Sequence, residues 1–365
     1  MSLIIIITGC SSQNLNQIPE TQNARLDSLL QSALITTINI DHFPVDTVVA
    51  TKKNVMGLKS SSNMPLDDPL GVVRGIVKIG DSLYIGDLQQ NCIWVMDDHG
   101  VWIRKIGNKG KAPGEFGQLL NIIHNSHNVI TLDRANARIQ FYNSHLKLLT
   151  SFIYRVVGNI LDGKNVAVTD SVLYLSRGRG YKNLIEICRS VPPFDSLGTF
   201  WPRLIPFGDQ PGGFNNIYDD ANSHGLLSIV YNGLPYIFII NKNQKINHII
   251  YVKSSHYKNP PPKPIHKKAH SISSALGVSN FMHNLFIGNN GSLYFFIGKN
   301  FYIITYNPQE KIYELEKTIY FTYGHSSFSK LNKHDIAPAS SMDISRDTLY
   351  FGTLFNRYIF GFPLH

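Results

Sequence analysis

One unit recurs six times between about residue 80 and the C-terminus: an apolar strand, a short polar turn and a second apolar strand. The copies read DSLYIGDLQQNCIWVMDDHG (81–100), NVITLDRANARIQFYNSHL (128–146), SVLYLSRGRGYKNLIEICRS (171–190), GLLSIVYNGLPYIFIINKNQ (225–244), GSLYFFIGKNFYIITYNPQE (291–310) and DTLYFGTLFNRYIFGFP (347–363). Such a hairpin cannot bury both of its faces alone, whereas copies stacked around an axis can, and a ring leaves few exposed edges. Successive copies start roughly 45 to 65 residues apart, the span of a four-stranded blade with its loops. The fold class expected is therefore all-β, a six-bladed β-propeller. A horseshoe or ankyrin array needs shorter periods and helical patterning, and the sequence has neither.

Composition agrees with strands. Tyr (18) and Phe (20) are plentiful and Ile is abundant, residues that suit pleated, half-buried surfaces. One helix is predicted near Ala24–Ser32, where Leu26, Leu29 and Leu30 share a face. If the last unit ends at Phe360–His365, too little chain remains for a complete sixth blade, so an N-terminal strand must supply its edge. Leu34–Ile40, apolar and β-branched, is the expected closing strand. The domains read as 1–10 signal peptide, 11–33 tether and short helix, and 34–365 propeller.

The N-terminus speaks to location. In MSLIIIITGCSS an apolar run, Leu3 to Ile7, stands directly before Thr8-Gly9-Cys10, which resembles the lipobox of bacterial lipoprotein signal peptides. The resemblance implies acylation of Cys10 and anchoring in the cell envelope, at the outer membrane on its periplasmic or surface side. No Lys or Arg precedes the run, so a start further upstream with a basic segment is expected. The alternative is a buried strand with an ordinary cysteine, and the polar stretch 11–23 argues against it by reading as a flexible tether. Cys92 and Cys188 fall in different repeats, inside apolar strands, and are expected to stay unpaired.

A net charge of +9 raises the question of nucleic acid. The basic residues form no dense stripe with interleaved aromatics; RGRG (177–180) and PPPKPIHKKAH (260–270) are the nearest approaches, and no nucleic-acid partner is expected. The excess charge either attracts anionic glycans or headgroups or simply keeps the surface soluble.

The segment 104–149 resembles an NHL-type repeat, a glycine-proline-glycine-glutamate-phenylalanine loop followed by an aspartate and an N-x-R-I-Q strand. The matching residues are Gly110, Pro113, Gly114, Glu115 and Phe116, then Asp133, Asn136, Arg138, Ile139 and Gln140. Weaker echoes are PFGDQPGGFNN (206–216) and IGDLQQNCIWVMDDHG (85–100), with Asp87. With its lipobox and degenerate repeats, the chain is similar to the TolB-like six-bladed propeller lipoproteins of gut-type Gram-negative anaerobes. That resemblance implies a fold and a compartment, and no settled activity.

The motif reads as structural. Gly110 and Gly114 can supply positive φ, Phe116 can fill the gap between blades, Glu115 can cap loop amides, and Asp133 can satisfy backbone donors and pair with Arg138 across the turn. The other reading has Asp87, Asp133 and Arg138 lining a ligand site. Six-bladed propellers include calcium-dependent lactonases and esterases, for which Asp87, Asp133, Asn165, Asp219 and Asp343 are the candidate ligands, though no spacing selects them. The sequence has no G-x-S-x-G elbow, no H-E-x-x-H and no P-loop. Its histidines fall mostly in polar turns: His124, His127, His145, His256, His266 and His270.

The function expected is a non-catalytic binding or interaction scaffold, monomeric, with no cofactor, a lipid anchor in the membrane, and a glycan or envelope-protein partner. Phe194, Phe200, Trp201, Phe214 and Tyr257, in the longest inter-unit segments, are candidates to stack on sugars or anchor a partner, or else to seal blade interfaces. The alternative is a calcium-dependent propeller hydrolase.

Overall fold

A computed structural model describes residues 23–57, 59–60, 70–154, 166–177, 182–204, 217–231, 234–255, 282–298, 300–323, 339–345, 347–353 and 359–364. Six antiparallel sheets follow one another along the chain, and each predicted hairpin supplies the second and third strands of one. The first strands of blades one to six are Val73–Ile79, Leu119–His124, Val166–Val168, Ile217–Ala221, His283–Ile287 and Ala339–Ser345. Each of these touches the next, and the sixth touches the first, so together they form the inner wall of a closed ring. The chain is a six-bladed β-propeller.

Each blade is buried on both faces, which is why its middle strands read as apolar runs rather than alternating ones. Ile93 and Val95 meet Leu119, Ile122 and Tyr142 in the core between blades one and two, whereas Trp94 and Met96, on the other face of the same strand, meet Val73 and Ile359 between blades six and one. Phe116 drops into the first of these cores, as its motif position predicts. Cys92 and Cys188 are both buried, and no disulfide joins them.

Ring closure differs from expectation. Leu34–Asn39 does not complete the last blade; it pairs in parallel with Ile246–Lys253, as a fifth strand on the outside of blade four. The strand that completes blade six is Val55–Met56, antiparallel to Ile359–Phe360. Between and beyond them, Val45–Ala50 lies parallel to Ile312–Tyr323 on blade five, and Lys59–Ser60 lies parallel to the start of Val101–Ile106 on blade one. Residues 34–60 thus form a belt over four consecutive blades. The predicted helix is present as Ala24–Leu30, with Asn23 Oδ1 capping the Arg25 and Leu26 amides at 3.1 Å. The belt and helix also wedge side chains into each junction they cross: Leu26 and Leu30 between blades three and four, Ile38 and Ile40 between four and five, Ala50 and Val55 between five and six, and Met56 between six and one.

Polar side chains help fasten the belt to blade four, among them Asp41, which accepts from Ser254 and Ser255, and Thr36. Thr36 Oγ1 lies 2.6 Å from Nε2 of the buried His248, whose ring meets Tyr313 edge-on at 5.0 Å. Burial pushes this imidazole below its ordinary value of 6.5. The unfolded chain therefore takes up a proton that the folded chain resists, and this contribution to stability is complete above about pH 6.5 and declines as the pH falls. His248→Gln should narrow the difference in melting temperature between pH 7 and pH 5 relative to the parent chain. An unchanged difference would remove His248 from the acid response.

Candidate functional site

The up-and-down path puts the turns joining first to second and third to fourth strands at one end of the ring. Their conformation is set by side chains that stand in for a backbone turn. Asn125 Oδ1 accepts from the His127 and Asn128 amides, Asn143 Oδ1 from His145 and Lys147, Asn222 Oδ1 from His224 and Leu226, and Asp97 Oδ1 from His99 and Val101. The first three begin with the same triplet, Asn-Ser-His. Two of the triplets also clasp the next blade. Asn125 Nδ2 donates to the Thr169 carbonyl, and the Ser126 amide and hydroxyl donate to the two oxygens of Asp170; in the same way Asn222 Nδ2 donates to the Gly288 carbonyl while the Ser223 amide and hydroxyl donate to Asn289 Oδ1.

At this end the inner strands bring an imidazole and a carboxylate together at the mouth of the channel. His124, the last residue of its strand in blade two, has Nε2 3.8 Å from Oδ2 of Asp343 in blade six. Blade one lies between those blades, so the pair reaches past it, and the Lys78 amide of blade one donates to the same Asp343 oxygen at 2.6 Å. Asp343 is buried and also accepts from the Ile344 amide, whereas the His124 side chain is about one-third exposed. Beside them stand the exposed His127 and Asp170. Burial pushes the Asp170 carboxyl up, but the two Ser126 hydrogen bonds and the nearby His127 and His124 outweigh it and hold the group below its ordinary value. Across the ring Asp220 makes a similar joint, accepting from the Ile287 amide of blade five. These polar groups tie inner strands to one another and leave the partly exposed His124 and the exposed His127 at the opening.

The NHL-like residues lie at the opposite end, where blade one runs into blade two. Asp133 Oδ1 accepts from the Gly117 and Gln118 amides, and Oδ2 from Asn136 Nδ2 at 2.7 Å and Arg138 Nη2 at 3.2 Å. Arg138 also donates to the carbonyls of Lys111, Ala112 and Glu115, and Gln140 to that of Glu115. Asn136 reaches the Gly110 carbonyl. Glu115 accepts from the Ala112 amide and from Asn108, and these bonds lower its carboxyl below the ordinary range. The loop is stapled to the hairpin at every turn. Gly114 has the positive φ expected of it, 88°, but Gly110 does not: there a Cβ would lie 1.9 Å from a Glu115 oxygen, so a side chain at this position would displace the Glu115 carboxylate. Asp87 holds the matching place in blade one, accepting from the Gly71, Gln89 and Gln90 amides and from the Trp94 indole.

The ligand-site reading of Asp87, Asp133 and Arg138 gains no support from this bonding, since both carboxylates are fully buried, Asp87 bonded to backbone amides and the Trp94 indole and Asp133 to backbone amides, Asn136 and Arg138. Nor are the candidate calcium ligands gathered: Asp87, Asp133, Asp219 and Asp343 stand on four different blades, Asn165 lies outside the described residues, and no three His, Cys, Asp or Glu among the described residues are grouped to hold a metal. Three of the aromatics offered as stacking residues face inward. Trp201 is buried against Tyr231 and Phe238, Phe200 packs on it, and Phe194 stacks on Phe141 and Phe152 between blades two and three. Phe214, Tyr257, His256, His266, His270 and Cys10 lie outside the described residues. Arg177 of the RGRG turn meets Glu186 at 3.6 Å, and burial together with that carboxylate pushes the Cys188 thiol up to about 11, which suits an inert core cysteine. The Asn-Ser-His triplet repeats visibly in the sequence, but its use as a clasp does not show there, because the groups it grips belong to the next blade.

A family profile described as DUF5128, a 6-bladed beta-propeller, matches residues 67–153, the span of blades one and two. No curated protein sequence matches the chain. Among solved structures, a member of the DUF4221 family from Bacteroides vulgatus is similar with a TM-score of 0.56 at 12% identity, over 86% of this chain and 95% of that one. A candidate exported protein from Bacteroides fragilis is similar with a TM-score of 0.52 at 12% identity, over 87% of this chain and 88% of that one. The WD40 repeats of RRP9 reach 0.51 at 11% identity, over 87% and 99%. Likeness at this level is likeness of fold.

If Asp133 is the staple of its loop, Asp133→Ala leaves the buried Arg138 guanidinium without its carboxylate and should cost about 3 kcal/mol in urea unfolding. Glu115→Ala, which removes a carboxylate that only caps its own loop, should cost clearly less. The reverse order would refute the structural role of Asp133.

Proposed function

We propose that this chain is a non-catalytic binding module of the cell envelope, held to a membrane by a lipid on Cys10 and engaging a polar ligand, a glycan or an envelope protein, through a propeller face. The observation that carries the binding reading is the state of the channel carboxylates. Asp343 and Asp220 each accept from a backbone amide of a neighbouring blade, an arrangement that fits a joint between blades. The turn-bearing face supports recognition: its backbone is held by Asx turns, so a ligand meeting His124, His127 and Asp170 meets groups already in place. The anchor reading rests on Thr8-Gly9-Cys10 and the polar tether. Export is the description carried by the Bacteroides fragilis propeller, and we extend it to this chain on the strength of that motif and not of the shared fold.

Two measurements test the two halves of this reading. Melting the protein in chelator and then in millimolar calcium should give no shift, because a cation held only by the folded state at a hundredfold excess over its Kd adds about 2.7 kcal/mol and a rise of several degrees. Such a rise would put a calcium-dependent hydrolase in place of the binder. In cells, Cys10→Ala should move the protein from the membrane to the soluble fraction and abolish fatty-acid labelling; retention in the membrane would refute the anchor.

A further inference from the structure

The two ends of the ring differ in charge. At the loop-bearing end, where second strands turn into third strands and each blade runs into the next, the carboxylates of the described residues are buried or engaged. Asp87 and Asp133 are buried, Glu115 caps its own loop, Glu186 meets Arg177, Asp41 accepts from Ser254 and Ser255, and Asp27 of the helix is half-buried. The exposed cations there are Lys109 and Lys111 on the loop before blade two, Lys105 at its root, Lys182 on the hairpin of blade three, Lys253 at the end of the outer strand of blade four, and Arg25 on the helix. Exposed carboxylates stand elsewhere. Asp81, Asp98, Asp170, Asp195, Glu310 and Asp347 lie in the turns of the opposite end, mixed with cations such as Lys242 and Lys245, while Asp46, Glu314 and Glu316 lie along the outer edge of blade five.

The helix that follows the N-terminal segment is pinned at the same end. Asn23 Nδ2 and Arg25 Nη1 donate to the carbonyls of Leu204 and Arg203, just past the outer strand of blade three. Leu26 and Leu30 share a core with Tyr231, Leu234 and Tyr236, which form the tip of the blade-four hairpin on that side. We propose that the loop-bearing end lies against an anionic lipid surface and that the turn-bearing face is thereby turned outward to its ligand. The orientation rests on the lipid-anchor reading of Cys10; the contact rests on the charge distribution alone. A flexible tether from Cys10 to Asn23 has a mean reach of about 20 Å, roughly the length of a six-residue strand, so it holds the near end of the ring to the bilayer more readily than the far one. Each cation close to an anionic surface raises partitioning about fivefold. That attraction fades within a Debye length of about 8 Å, so the end that lies on the surface is the end that feels it.

The contact is tested on the full chain carrying Cys10→Ala, which has no acylation site at that position. It should sediment with vesicles of phosphatidylglycerol mixed into phosphatidylcholine and stay in solution with phosphatidylcholine alone. Lys109→Glu with Lys111→Glu should weaken that binding by about tenfold or more, whereas Lys242→Glu with Lys245→Glu, at the turn-bearing end, should leave it unchanged. All four side chains are exposed, so neither pair should alter the melting temperature. The orientation is tested on the intact chain in the same vesicles, with a dye on Lys111→Cys or on Lys242→Cys; Cys92 and Cys188 are buried and stay unlabelled. Energy transfer to an acceptor in the headgroups should be stronger from the Lys111→Cys site. Absence of binding to the anionic vesicles, or equal loss from both charge pairs, would overturn the contact. Transfer that is equal or stronger from the Lys242→Cys site would overturn the orientation. An intact chain that carries no acyl group would refute the anchor, and the vesicle comparison with Cys10→Ala would still decide the contact.

Discussion

Everything in this protein depends on ring closure. A blade buries its two faces only against its neighbours, so each apolar core between blades exists only if every junction is made, including the one between the first blade and the last. The contact that completes the sixth blade is two residues long, Val55–Met56 against Ile359–Phe360. By itself so short a pairing would be weak. It is held by the belt on either side, which lays parallel strands on blades four, five and one and drops a side chain into each junction it crosses. The seam is closed by length of wrapping rather than by one long strand.

The same logic governs the polar residues. Where blades meet at the inner wall, buried carboxylates and amides accept from the backbone of the next blade: Asp343 from Lys78, Asp220 from Ile287, Asn91 from Leu119. A buried acceptor left without a donor costs far more than its bond adds, so these side chains both depend on the ring and fix the rotation of one blade against the next. At the loop-bearing end Asp87 and Asp133 hold the segments that lead into their own blades, and at the other end two of the Asn-Ser-His turns clasp the next blade.

Six hairpins at blade-like spacing determined the fold, because period-two patterning and turn residues are local and each copy carries them. The loop from Gly110 to Phe116 and its aspartate and arginine partners were legible for the same reason: their bonds join residues within about thirty positions of one another. Leu26, Leu29 and Leu30 marked the helix. All of these features depend on neighbours in sequence. The closing strand was misplaced because Leu34–Ile40 has the stronger β pattern, and nothing local says which of several blade edges an apolar segment will meet. A parallel pairing across some 214 residues, Leu34 with His248, leaves no trace in either segment alone. The aromatics Trp201, Phe200 and Phe194 were offered as stacking residues because they lie between units; only the neighbouring blade decides that they are core. The meeting of His124 with Asp343 is set by the curvature of the ring, which brings blades two and six together past blade one. The sequence by itself thus determined the repeating unit, its number and its turns, since these are encoded within each copy. The tertiary structure alone decided the seam, the belt and the channel mouth, since each is a contact between distant copies whose partners are chosen by geometry.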